Sequence, residues 1–209
     1  MQLFALVSPI VFIITVIILG FVTPGYNHLS HTISRLAIMK YGWIQTINLL
    51  QFAYGMYLGG IQIGETMKTL EGKRVIRNVF FFCAGILLLT AATHTDPVEN
   101  LQLDPRLLSP MGILHYCVIF LFLVAAPFGI NSLAKTLVDE PNYRRYVWAT
   151  RIMGFVSLTG SILWFIFFFS GILLEYRGFF QKLIVLWTIS WIILMNFRAF
   201  FRPFSMERV

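Results

Sequence analysis

The sequence has little charge: only 12% of its 209 residues are Asp, Glu, Lys or Arg, against about a quarter in soluble globular domains. It has only two cysteines, Cys83 and Cys117, each inside an apolar run, so neither a disulfide framework nor a CxxC motif is indicated. The motifs HExxH and GxSxG are also absent from the sequence. The sequence is instead rich in hydrophobic residues, which make up 58% of it. These proportions predict an integral membrane protein.

Six apolar runs follow one another along the chain, each near the ~20 residues that a bilayer requires. We expect membrane spans at about 3–22, 43–64, 75–93, 112–133, 149–174 and 179–200. The connections between them are short, which argues against a separate soluble domain. The predicted fold class is therefore all-α: a polytopic membrane protein in which residues 1–209 form a single six-helix transmembrane bundle.

The basic residues predict how this bundle is oriented. Most of the 16 Lys and Arg residues lie in the second and fourth connections and in the C-terminal tail. The positive-inside rule then places both termini in the cytoplasm and connections one, three and five outside. The net charge of +7 is dispersed without a Lys/Arg run, which favours membrane lipid as a partner and argues against nucleic acid.

The first connection carries two of the four histidines, several hydroxyls and an arginine. A helix beginning near His28 would place His28, His31 and Arg35 on one face, with Ser34 beside them. We interpret this stretch as an amphipathic segment at the membrane surface. The alternative is a solvated connector between two spans.

The third connection begins with His94 and Asp96, and His115 lies one turn into the fourth span. Antiparallel helices joined at that end would bring these three side chains together. Imidazole and carboxylate suit two tasks: binding a divalent metal such as zinc, or relaying a proton while Asp fixes the His tautomer. The competing interpretation is structural, with Asp96 capping a helix and His115 hydrogen-bonded inside the bundle.

These observations predict a site with three kinds of residue. The candidates are Ser34, Asp96 and His115 for catalysis, His94, His115, Asp96 and His31 for binding metal, and Arg177 and Arg35 for binding a lipid headgroup. The spacing of the metal candidates is not that of a known zinc motif. Arginine suits the headgroup because its guanidinium binds phosphate in a bidentate manner.

Short segments spread over the chain also carry a likeness to a known family. They are Pro24-Gly25-Tyr26, Thr32-Ile33-Ser34-x-Leu36, Asp96, His115 and Glu175-x-Arg177. In these segments the chain resembles a prokaryotic six-span membrane family catalogued as domain of unknown function nine-nine-eight, although it has Thr93-His94 where that family tends to have Phe-Pro. The resemblance implies a prokaryotic inner (plasma) membrane and supplies no activity. A more distant likeness, to the ceramidase-type intramembrane hydrolases that use zinc, is an analogy, because those proteins have seven spans and a final HxxxH motif.

Two classes of function fit these predictions about equally. The first is a metal-assisted hydrolase or transferase acting on a lipid at the outer leaflet, with zinc activating a water, Ser34 assisting and Arg177 holding the headgroup. The second is a non-enzymatic accessory, binding or sensor subunit that associates with a membrane-protein partner or a second copy through glycine faces such as Gly55 and Gly59. Transport or haem redox chemistry is the third interpretation.

Overall fold

The computed structural model describes residues 1–96 and 108–201; Arg202 and Arg208 of the basic tail lie outside this range. The described residues form helices and connections, with no strand among them. There are six α-helices in these residues: α1 Gln2–Val22, α2 Gly42–Thr66, α3 Leu70–Ala92, α4 Pro110–Thr136, α5 Val147–Ser170 and α6 Arg177–Phe200. Short 3-10 segments lie between some of them, at Ile33–Ile38, Leu137–Asp139, Arg144–Tyr146 and Leu174–Tyr176. The predicted all-helical class is confirmed.

Five helical segments are long and apolar enough to cross a membrane, which indicates an integral membrane protein. They are Gln2–Val22, Leu70–Ala92, Pro110–Asp139, Arg144–Ser170 and Leu174–Phe200. Helix α2 is not among them, although its 25 residues rise about 37 Å, enough to span a bilayer. Its amide side chains Gln45, Asn48, Gln51 and Gln62 lower the mean hydropathy of its apolar run.

Helix α2 packs mainly against α3 and α1 and also against α6. Glycines allow this close approach. A Cβ on Gly55 would lie 2.1 Å from Ser8 Oγ, and one on Gly60 would lie 2.8 Å from the Cβ of Phe80. The small residues of α2 thus serve helix packing, the role that their spacing predicts.

One end of the bundle is built around Glu140, and we call it the Glu140 end. It contains the turn from α2 to α3 and the connection from α4 to α5. The Glu140 side chain, 0% exposed, accepts hydrogen bonds from the backbone N–H of Lys68 (2.7 Å), the backbone N–H of Thr69 (2.8 Å) and the Thr69 hydroxyl. Thr69 is the N-cap of α3, its hydroxyl accepting from Gly72 N. The carboxylate of Glu140 holds this cap in place and complements the positive N-terminal dipole of α3. Nearby, burial raises the pKa of Tyr143 to about 12.

The opposite end contains the connection that precedes α2, the connection that precedes α6, and the described residues that flank the third connection. We call it the histidine end, because His28, His31, His94 and His115 all lie there.

The prediction of a helix that begins near His28 is wrong. A single turn is closed by His31 N donating to Asn27 O (2.8 Å), and regular structure follows only in the 3-10 segment. The reason is tertiary: the carbonyls of His28 and His31, which a helix would use internally, accept hydrogen bonds from Lys182 instead.

Candidate functional site

Residues 23–41, which we call the strap, cross the first turn of α6. Three hydrogen bonds attach them: Phe179 N to Leu29 O (2.9 Å), Ile33 N to Gln181 Oε1 (2.8 Å) and Arg177 Nε to Ser30 O (2.9 Å). Contact is close enough that a Cβ on Gly178 would lie 2.1 Å from His31 O. The strap is therefore a built part of the bundle and covers its histidine end.

Lys182 holds the strap in place from inside. Its ammonium donates to His28 O (3.0 Å), His31 O (2.7 Å) and Gly178 O (3.2 Å), and lies 5.2 Å from the centre of the Tyr26 ring. In the part of the chain that the structure describes, no carboxylate forms an ion pair with it. Carbonyl dipoles and an aromatic face thus stabilise this half-buried charge, as expected where water is scarce.

His28 packs into the corner between the strap and the end of α1. Its ring lies 4.7 Å from that of Phe21, and a Cβ on Gly20 would lie 2.1 Å from its Cε1 atom. Burial, and then the charge of Lys182, lower the pKa of His28 from its ordinary value. The ring is therefore neutral at pH 7, and its buried Nε2 atom has no hydrogen-bond partner among the described residues.

His115 is the most buried histidine, with 2% of its surface exposed. Its Nδ1 atom lies 3.1 Å from both Oγ1 and the carbonyl O of Thr93. The Thr93 hydroxyl donates to Leu89 O (2.8 Å), and a carbonyl can only accept, so Nδ1 carries the hydrogen in the neutral ring. Nε2 then holds the free lone pair, and it has no partner among residues 1–96 and 108–201. This arrangement is typical of a histidine that serves as a base or a metal ligand.

Asp96 lies beside His115, but its side chain is hydrogen-bonded to Ser109. Its carboxylate accepts from Ser109 N (2.6 Å) and Ser109 Oγ (3.1 Å), while its backbone carbonyl accepts from the Tyr116 hydroxyl (3.1 Å). A Cβ on Gly112 would lie 2.0 Å from Asp96 Oδ2, so the carboxylate sits directly on the first turn of α4. Asp96 thus helps to cap α4, the structural role weighed above.

The predicted site residues fall into separate groups. Asp96 and His115 meet where α3 ends and α4 begins, and His94 beside them is exposed. His31, Ser34 and Arg35 lie in the strap, and Arg177 begins α6. Within the described ranges, no group of three or more His, Cys, Asp or Glu side chains could hold a metal ion. The zinc site stays a prediction.

Below the strap lies a cavity of about 70 Å³ inside the bundle. Side chains of α1, α2, α3, α4 and α6 line it, together with two residues of the strap. Most of the lining is apolar, and its polar members are Ser34, Gln45, Thr90, Gln181 and Thr188. Thr90 and Ile119 in this lining lie about one helical turn from Thr93 and His115. The cavity therefore lies one turn deeper in the bundle than the histidine.

A ladder of amides along α2 leads to this cavity. Gln51 Nε2 donates to Asn48 Oδ1 (3.1 Å), and Asn48 Nδ2 donates to Gln45 Oε1 (3.3 Å). Gln45 is 0% exposed, and its Nε2 atom has no hydrogen-bond partner in the described residues. The three amides recur every third residue, a helical spacing that predicts a polar seam pointing inward from the outer end of α2.

Two residues of this region were not predicted from the sequence. Lys182 counted only as one of the basic residues, and Gln181 was not noticed. The sequence did contain a signal for this face of α6. Residues that all line the cavity recur there at helical spacing, namely Gln181, Val185, Thr188 and Ile192. A polar residue that repeats on one face of an apolar helix predicts such a lining.

A family model described as Protein of unknown function (DUF998) matches residues 6–198 of the chain. This confirms the resemblance drawn from the short segments above. No curated protein and no solved structure matches the chain. The family description assigns no activity, so a function must come from the geometry.

Proposed function

We propose that this protein, which belongs to the DUF998 family, is a membrane-embedded binding protein for an amphiphile drawn from the surrounding membrane. The observation that supports the proposal is the position and composition of the cavity. Five helices and the strap converge on it, its walls are mostly apolar, and its few polar groups are well placed to orient a ligand. Small-molecule sites have this character.

The size of the cavity limits what can enter. Its volume of about 70 Å³ exceeds the ~30 Å³ that one water occupies in the liquid, but it is far smaller than a whole lipid. We therefore assign it to a narrow, uncharged part of the amphiphile, with the headgroup near the strap. Arg35 and Arg177 are the proposed contacts for a phosphate or carboxylate headgroup there.

Photolabelling in nanodiscs tests this proposal. The probe is a twelve-carbon hydrocarbon that carries a diazirine, and crosslinked peptides are mapped by mass spectrometry. We expect saturable labelling of the cavity segments of α3 and α4, lost when Leu87→Trp fills the cavity. Leu88→Trp is the matched control, because Leu88 is the next residue and is 49% exposed. Labelling that does not saturate, or that both variants lower equally, would overturn the proposal.

A specific observation also favours the hydrolase or transferase as a second candidate. It is the buried His115 ring, whose Nδ1 is held by Thr93 and whose Nε2 lone pair is unpartnered in the described residues. In this proposal His115 and Asp96, with His94 or His31, would hold zinc, and Ser34 would assist the attacking water. Stoichiometric zinc that disappears in His115→Ala would support this function, and metal-free wild-type protein would contradict it.

The membrane arrangement is a further part of the proposal. We propose that α2 is a sixth span, since it is long enough and lies between α1, α3 and α6, and that both termini face the cytoplasm of a prokaryotic cell. Lys40→Cys, just before α2, should then react with an impermeant thiol reagent in intact cells, and Lys68→Cys, just after α2, should not; both positions are exposed. The reverse pattern would invert the orientation, and reaction at both would contradict the six spans.

A further inference from the structure

The amide ladder of α2 has a defined direction. Gln51 Nε2 also donates to Ser8 O (3.3 Å), and Asn48 Nδ2 also donates to Phe12 O (3.2 Å). Backbone carbonyls can only accept, so the NH2 groups of both amides must face α1. Asn48 then presents Nδ2 to Gln45 Oε1, and both N–H groups of Gln45 remain at the cavity end of the ladder.

We infer that the cavity recognises the carbonyl oxygen of an uncharged ester or ketone through the side-chain amide of Gln45. The inference rests on the proposed binding function and adds the chemical class of the ligand. Gln45 is fully buried, lines the cavity and offers a donor without an acceptor in the described residues. A buried amide donor without an acceptor lowers stability, and an acceptor on the ligand would remove that cost.

Two other polar side chains of the cavity already have hydrogen-bond partners within the protein. The Thr90 hydroxyl donates to Ile86 O (2.9 Å). The Thr188 hydroxyl is bonded to Ile184 O and to the Ser157 hydroxyl. Gln181 accepts from Ile33 N through Oε1. Among the lining residues in the described ranges, Gln45 is the one with a fully buried donor that lacks a partner.

Two features specify an acceptor that is neutral. No charged side chain lines the cavity in the part of the chain that the structure describes, so an ionised carboxylate or ammonium would be buried without a counterion. Consecutive amides in the ladder polarise one another, which strengthens donation from its last N–H. A carbonyl oxygen satisfies both conditions, whereas a plain hydrocarbon leaves Gln45 without an acceptor.

A competition experiment tests the inference with two probes of similar shape. Methyl dodecanoate and tridecane are each titrated against the diazirine hydrocarbon in nanodiscs that contain the wild type or Gln45→Met. We expect the ester to compete about fivefold better than the alkane in the wild type, the usual net worth of one neutral hydrogen bond. That preference should vanish in Gln45→Met and persist in Gln51→Met, which removes an amide of the same ladder outside the cavity lining.

The outcomes separate this inference from the proposed function. Equal competition by ester and alkane in the wild type would overturn carbonyl recognition and leave the binding function intact. Labelling that neither probe displaces would overturn both.

A second measurement needs no variant. The carbonyl stretching band of ¹³C-labelled methyl dodecanoate should shift to lower frequency in the presence of the wild-type protein, because a hydrogen bond weakens the C=O bond. An unshifted band in nanodiscs where the ester displaces the diazirine probe would refute the inference.

Discussion

The two ends of the bundle treat buried polar groups differently. At the Glu140 end a fully buried carboxylate accepts three hydrogen bonds from Lys68 and Thr69. At the histidine end, Nε2 of His28 and Nε2 of His115 are buried without a partner among the described residues, and so is Nε2 of Gln45 one layer deeper.

An unpaired buried polar atom lowers stability, so a group that remains unpaired needs another explanation. The Glu140 end is organised for stability: its carboxylate fixes the connection between α4 and α5 to the start of α3. Arg77 Nε and Asn196 Oδ1, in the other half of the bundle, are also buried without a partner among the described residues, but neither residue lines the cavity. What distinguishes the histidine end is that an unpaired donor, Gln45 Nε2, belongs to the cavity wall. This contrast is the physical reason for placing the function there.

The largest expected effect compares the carboxylates that cap helices at the two ends. Glu140→Ala should lower the free energy of unfolding by about 3 kcal/mol, because it leaves the donors of the α3 N-terminus buried and unpaired. Asp96→Ala should lower it by about 1 kcal/mol, since Asp96 is half-buried and shares the capping of α4 with Ser109. Denaturant titration in mixed micelles measures both. Equal losses of the free energy of unfolding in the two variants would show that the two ends do not differ in this way.

The next effect concerns how the strap is held. Gly178→Ala places a Cβ against the backbone of His31, so the strap must shift, at a cost of about 2 kcal/mol. Hydrogen exchange in residues 27–33 should speed up. Gly85→Ala is the matched control: its Cβ would meet no atom within 4 Å, and alanine should stabilise α3 by up to about 1 kcal/mol. Unchanged exchange in Gly178→Ala would mean that the strap is not docked as described.

A smaller effect on stability is expected at His115. His115→Leu loses one hydrogen bond to Thr93 but also removes an unpartnered nitrogen, so the free energy of unfolding should change by less than about 1 kcal/mol. Zinc content, measured by plasma mass spectrometry on the same preparation, should fall if His115 is a ligand. A loss of stability comparable to that of Glu140→Ala would show that this histidine is structural.

The smallest effect is the pH dependence at His28. Its pKa in the folded protein is below the ordinary 6.5, so the unfolded chain binds a proton more readily than the folded one. This difference in the pKa of His28 contributes stability that is fully present above pH 6.5 and is lost as the pH falls through the pKa of His28 in the folded protein. The melting temperature should therefore drop on acidification, and His28→Asn should reduce that drop. An equal drop in both proteins would show that another group dominates the titration.

Hydropathy located the helices well and their ends less well. The run ending at Leu174 continues past the observed end of α5 at Ser170, because Ile172 and Leu173 are apolar. Positive φ angles at Gly171 (77°) and Leu173 (57°) end the helix there. The hydropathy pattern reports which residues avoid water and carries little information about backbone turns.

The membrane class, the six α-helices of the described residues and the family follow from the sequence alone, because apolar runs of bilayer length and short motifs depend on residues that lie near each other in the chain. Only the tertiary structure decided that Lys182 of α6 draws the strap out of a helical conformation, and that Gln45, rather than Asn48 or Gln51, keeps an unused donor. Those outcomes depend on hydrogen bonds between residues far apart in sequence. Spacing along one helix cannot specify such partners, since any exposed carbonyl on a neighbouring helix can accept the bond.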